Sequence, residues 1–141
     1  MGQEILVREQ TVGGRKVIDG LIARGVPVTA AFWMKRDDAP RWYLYIVTSL
    51  VETDGPFEAY RAVREVIGEC QWGNPSEFVS PSDIKLLEPT HTLATWAVGV
   101  PGKYNGTVDA WVHGDWVRDG AVTGTYVYAL TPRPAPQPAG S

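Results

Sequence analysis

Two runs rich in β-branched and aromatic side chains, at 26–35 and 41–51, stand only five residues apart. The first holds Val26, Val28, Thr29, Phe32 and Trp33; the second holds Trp42, Tyr43, Leu44, Tyr45, Ile46 and Val47. Between them lies Arg36-Asp37-Asp38-Ala39-Pro40, where Asp side chains can bond their own backbone and proline disfavours helix. Parallel strands need a crossover of a dozen residues or more, so this spacing predicts an antiparallel β-hairpin over 26–51.

Helical periodicity appears on either side of that hairpin. In 11–24, Val17, Ile18, Leu21 and Ile22 form one apolar stripe, with Arg15, Lys16, Asp19 and Arg24 elsewhere on the surface. Gly25 and then Pro27 mark the stop, while Gly13, Gly14 and Gly20 weaken the interior. A second helix starts near Asp54, a capping residue, with Pro56 in the first turn and Glu58 at the positive end of the dipole. Ala59, Ala62, Val63, Val66, Ile67 and Cys70 line its apolar face, and Arg61 can pair with Glu65. Gly68 and Gln71-Trp72-Gly73-Asn74-Pro75 end it.

Beyond 76–82, read as a loop, short strands are expected at 84–88 and 92–100, with a turn-rich link over 101–106. Residues 108–118 and 121–130 flank Asp119-Gly120, the strongest short-range hairpin signal, so a second hairpin spans 107–130. The order of elements predicts an α+β fold: an antiparallel sheet of about five to six strands with two helices packed on one face. Residues 1–130 are expected to be one domain. Residues 131–141 hold four prolines and no large apolar side chain, and are expected to be a disordered tail.

Composition narrows the functional classes. With 44% hydrophobic and 21% charged residues among 141, the chain can build one core. A net charge of −3, with 13 basic against 16 acidic residues, disfavours nucleic acid as a partner. Residues 1–10 carry three charges and no apolar core, unlike a signal peptide, and no run has the apolar length of a membrane span. The expectation is a cytoplasmic protein of bacterial type. The single cysteine, Cys70, cannot form an internal disulfide, and its place at the end of an apolar helix stripe favours a buried, inert thiol.

No nucleophile elbow, phosphate loop or zinc-protease helix is present, and no cofactor, metal or catalytic residue is assigned. His91 stands in a polar loop, Pro89-Thr90-His91-Thr92. Asn105-Gly106-Thr107 reads as a turn.

The second hairpin carries the richest chemistry. If Asp119-Gly120 forms its turn, Val112 stands opposite Val127 and His113 opposite Tyr126. One face then holds Val108, Ala110, Val112, Trp116, Val127 and Ala129, and reads as core. The other holds Asp109, Trp111, His113, Asp115, Tyr126 and Tyr128, an aromatic surface with two carboxylates and an imidazole.

Six tryptophans and six tyrosines then give two leading expectations. In the first, the chain is a non-catalytic module that binds a protein partner, or itself as a homodimer, through an exposed aromatic face containing Trp33, Trp42, Tyr43, Tyr45, Trp111 and Tyr128. In the second it is a small-ligand domain or enzyme, with Asp109, Trp111, His113, Asp115 and Tyr126 lining a pocket between sheet and helices. Nucleic-acid binding would require Arg15, Lys16, Arg24, Lys35, Arg36 and Arg41 to converge.

Overall fold

The computed structural model describes residues 8–36, 41–73, 75–91, 94, 110–113, 116–117, 120–128 and 130; for 110–113, 116–117 and 120–123 the description is of the backbone. The expected turn at 37–40, the link at 101–106 and the tail at 131–141 lie outside these residues, as does the expected strand at 92–100 apart from Ala94, which is helical and buried rather than in a strand.

Helix α1 (Arg8–Ala23) is longer at its start than the apolar stripe implied. Val17, Ile18 and Leu21 are buried, each contributing roughly 1.5–3 kcal/mol by leaving water. Its end follows from Gly25, whose φ of 85° only glycine adopts without strain. Gly25 N–H donates to the Ile22 carbonyl at 3.0 Å and Val26 N–H to the Leu21 carbonyl at 3.0 Å, a Schellman pair that satisfies the last carbonyls.

The first hairpin is present. Strand β1 (Ala30–Arg36) pairs antiparallel with β2 (Tyr43–Val47), placing Phe32 opposite Tyr45. Their rings stack with centroids 5.2 Å apart. The second strand is shorter than expected, because the chain leaves the sheet after Val47 and turns into the short helix α2 (Leu50–Thr53).

Helix α3 (Pro56–Glu69) begins with Pro56 at its first position, as the sequence implied, but its cap differs. Asp54 closes α2, and Gly55, at φ 87°, occupies the cap of α3. One 3₁₀ turn, Pro75–Glu77, follows, and a second, Pro81–Asp83, leads into β3 (Ile84–Leu87).

The sheet is mixed, which corrects the expectation of a purely antiparallel one. Strand β3 runs parallel to β2, with Leu44 opposite Ile84 and Val47 opposite Leu87. The reason is α3: a helix of that length carries the chain back along the sheet, so the next strand re-enters in the direction of β2.

The remaining strands are β4 (Ala110–His113), β5 (Trp116–Val117) and β6 (Gly120–Val127). The strand order is β3-β2-β1-β6-β4, with β5 also pairing with β6. The C-terminal hairpin is slid by two residues from the expected register. Val117 pairs with Gly120, which places Gly120 in the strand, and Ala110 rather than Val112 stands opposite Val127. Strand β6 must also match β1, with Trp33 opposite Tyr126, and two neighbours outweigh one local turn preference. A slide by two leaves the alternation of faces unchanged.

Both α1 and α3 pack on one face, where Val17, Ile18, Leu21, Val63, Val66 and Ile67 meet Ala31, Trp33, Leu44, Ile46 and Ile84. The opposite face is buried too: Phe32, Met34, Tyr45, Val47 and Val127 form a second cluster that includes Ala94. No helix among the described residues is long and apolar enough to cross a membrane.

Candidate functional site

The burial of both sheet faces decides where the aromatic residues can act. Trp33 and Tyr128 are each only 1% exposed, and Trp42 and Tyr45 are buried as well. The expected aromatic docking patch is corrected for these four: they fill the core, because helices or further residues cover each side of the sheet. Tyr43 is half-buried, with Arg41 and Lys85 placed 5.2 and 4.6 Å from its ring centroid. Among the described residues, the large apolar side chains that face solvent are Phe57 and Phe78, and the Phe78 and Trp72 rings meet edge to face.

Trp111 and His113 are placed by backbone register. Trp111 stands opposite Tyr126, and His113 opposite Gly124 rather than opposite Tyr126. Asp109 and Asp115 lie outside the described residues. Among the described residues no group of three His, Cys, Asp or Glu could hold a metal ion.

Where α1 crosses β6 there is a cleft of about 430 Å³. From α1 it takes Arg8, Thr11, Arg15 and Lys16, together with Val12. From β6 and the residue just beyond it come Tyr126 and Tyr128, two of the side chains expected to form a binding surface. On the helix, Arg8, Thr11, Val12 and Arg15 recur at i, i+3, i+4 and i+7, so one flank of α1 faces the cleft.

The floor is built around Tyr128. Trp33 Nε1–H donates to the Tyr128 hydroxyl at 2.9 Å, and that hydroxyl donates to the Thr11 carbonyl at 2.6 Å. Gly14 makes this approach possible: a Cβ there would collide with the Tyr128 hydroxyl and lie 2.8 Å from Trp33 Nε1. Above the floor, the Arg15 guanidinium sits 5.3 Å from the Tyr128 ring centroid, a cation–π arrangement. The Tyr126 and Tyr128 rings meet edge to face, 5.3 Å apart at 80°.

Lys16 holds the far wall. Its Nζ donates to Glu77 Oε1 at 2.6 Å and to the Gln71 carbonyl at 3.1 Å, tying α1 to the 3₁₀ turn at Pro75–Glu77. Gly13 allows the same closeness, since a Cβ there would strike the Glu77 carbonyl. Among the described residues lining the cleft there is no acidic side chain.

Three other cations named from the sequence are engaged elsewhere. Arg24 pairs with Glu65 and Glu69 of α3 at 3.8 and 3.4 Å, Arg41 pairs with Asp83 at 3.2 Å, and Lys35 is buried. A smaller space of about 260 Å³ between α1 and α3 is lined by Gly20, Ala23, Arg24, Val66, Glu69 and Cys70. Burial pushes the Cys70 thiol above its ordinary value; Lys16 opposes that and Glu69 adds to it.

Arg15 and Lys16 are visible in the sequence as helix-surface cations, whereas Arg8 falls before the expected start of the helix at 11. What sequence could not supply was their meeting with Tyr126 and Tyr128, more than a hundred residues further along. Compared with known proteins, the chain matches no family model, no curated protein and no solved structure at a significant level.

Proposed function

We propose that this chain is a cytoplasmic small-ligand-binding domain whose α1–β6 cleft holds an anionic molecule. The observation that carries the reading is the make-up of the cleft wall: two arginines and two tyrosines, with Lys16 paired to Glu77 and no acid among the described lining residues. Cations converging on a concave surface concentrate anions there, and the planar fork of arginine suits a carboxylate or phosphate. A volume of about 430 Å³ falls in the range used for small organic ligands.

The reading is tested by thermal unfolding of the full chain with citrate or inorganic phosphate, against sodium chloride of equal ionic strength. A ligand at 100 times its Kd stabilises the folded state by about 2.7 kcal/mol, which raises the midpoint by several degrees. Replacing both arginines, Arg8→Gln with Arg15→Gln, is expected to remove that rise. A midpoint indifferent to every anion beyond the chloride control would sink the proposal.

Binding of a protein partner, or self-association, is the second reading. It is favoured by Phe57 and Phe78, which are 70% and 52% exposed, rather than by the aromatic side chains of the sheet.

A further inference from the structure

The cleft has chemistry beyond its charge, and we infer that its ligand is a flat aromatic ring bearing the anionic group. This rests on the proposed anion-binding reading and narrows it to a substrate class.

Size comes first. A water molecule takes about 30 Å³ of liquid volume, and the cleft, at about 430 Å³, is far roomier than a simple oxyanion needs. The cations alone would leave most of that space unexplained.

The floor comes second. The Tyr128 hydroxyl and the Trp33 N–H are bonded to each other, and the hydroxyl's own proton goes to the Thr11 carbonyl. These polar atoms are occupied inside the protein. What the floor and near wall offer a ligand is therefore ring surface and apolar contact, from half-buried Tyr126 and from Val12. Selection there acts on shape and π-surface.

The third element is Arg15. Its guanidinium already lies over the Tyr128 ring at 5.3 Å, so part of the conformational entropy of a long side chain is removed before any ligand arrives. Guanidinium is flat and weakly hydrated, and it both stacks on rings and grips carboxylates with two parallel N–H groups. A ligand ring resting against Tyr126 would share the cleft with Arg15 and Arg8, whose guanidinium groups suit an attached carboxylate or phosphate. Lys16, held by Glu77 at 2.6 Å, fixes the wall and is not needed as the anion's partner.

Three probes separate ring from charge: 1-naphthoate, cyclohexanecarboxylate and the neutral 2-naphthylmethanol, each titrated into the full chain by calorimetry. The expected result is that 1-naphthoate binds about tenfold more tightly than either of the others, in line with one aromatic contact and one charge-assisted contact. Tyr126→Leu is expected to bring the two carboxylates to equal affinity. Arg15→Lys keeps the charge but loses the flat stack, and is expected to weaken 1-naphthoate more than cyclohexanecarboxylate. Circular dichroism of each variant confirms that it folds, and if Arg15→Lys does not, Arg8→Gln is expected to weaken both carboxylates and leave 2-naphthylmethanol unchanged.

Equal binding of the two carboxylates by the unmodified chain overturns the aromatic assignment and leaves the anion-binding reading standing. No binding of either carboxylate, or binding that neither arginine change alters, overturns both.

Discussion

The hydroxyl of Tyr128 is a junction between three parts of the chain, and Gly14 is the residue that lets α1 reach it. Alanine is the better helix former by up to about 1 kcal/mol, so propensity alone favours a change at any helical glycine. At Gly14 the added methyl would meet the Tyr128 hydroxyl and Trp33 Nε1, both locked in the core. Overpacking of that kind costs about 1–3 kcal/mol, and forcing the hydroxyl aside leaves the buried Trp33 N–H unsatisfied. Gly68 is the natural control, lying on an exposed part of α3 with nothing within 4 Å of an added Cβ. Urea unfolding should show Gly14→Ala destabilised by about 1–3 kcal/mol and Gly68→Ala stabilised by roughly 0.5–1 kcal/mol. If the two shifts have the same sign, Gly14 is not the contact described. In the sequence Gly14 reads only as weakening a helix interior and Gly68 as part of a helix end; what an added methyl would meet at each depends on the element packed against it.

At the scale of elements, what was local in the chain was legible and what was distant was not. Gly25 followed by Pro27 marked the end of α1, Pro56 marked the start of α3, and the five-residue gap marked the β1–β2 hairpin; each depends on dihedral preferences of neighbouring residues. The direction of β3 and the register of β6 depend on partners far away, and both were misread. The outer edge of β3 shows how such a strand is finished. Ile84 N–H donates to the Pro81 carbonyl, and Leu86 N–H donates to the Tyr60 hydroxyl at 3.0 Å, so a side chain of α3 takes the place of a further strand. Tyr60→Phe should cost about 0.5–1.5 kcal/mol and expose an edge group open to pairing with another chain. Light scattering during refolding reads the second effect. Unchanged stability together with unchanged scattering would show that the edge is guarded by something else.

For the whole molecule, the distribution of aromatics follows from a sheet buried on both faces. A strand pattern with aromatics on each side is compatible with two covers or with one cover and one docking surface, and residues alone do not choose between them. Most of the described tryptophan and tyrosine side chains of the sheet turn inward, leaving the candidate site to the seam between α1 and β6. Cys70 is half-buried beside the space between α1 and α3, with its thiol pushed upward mainly by burial. Less thiolate at a given pH means slower alkylation, so iodoacetamide should label folded protein more slowly than unfolded chain at neutral pH. The rate should climb only as pH passes above the ordinary thiol value. Equal rates in both states would mean that the thiol stands open. The strand order also has a biosynthetic consequence. Central strand β1 waits for β6, and 95 residues separate Trp33 from Tyr128. At about 5–20 residues per second that is roughly 5–20 s of translation. Throughout that interval the nascent chain carries an unguarded strand edge on the ribosome, and a chaperone that binds exposed aromatic segments has its longest opportunity there.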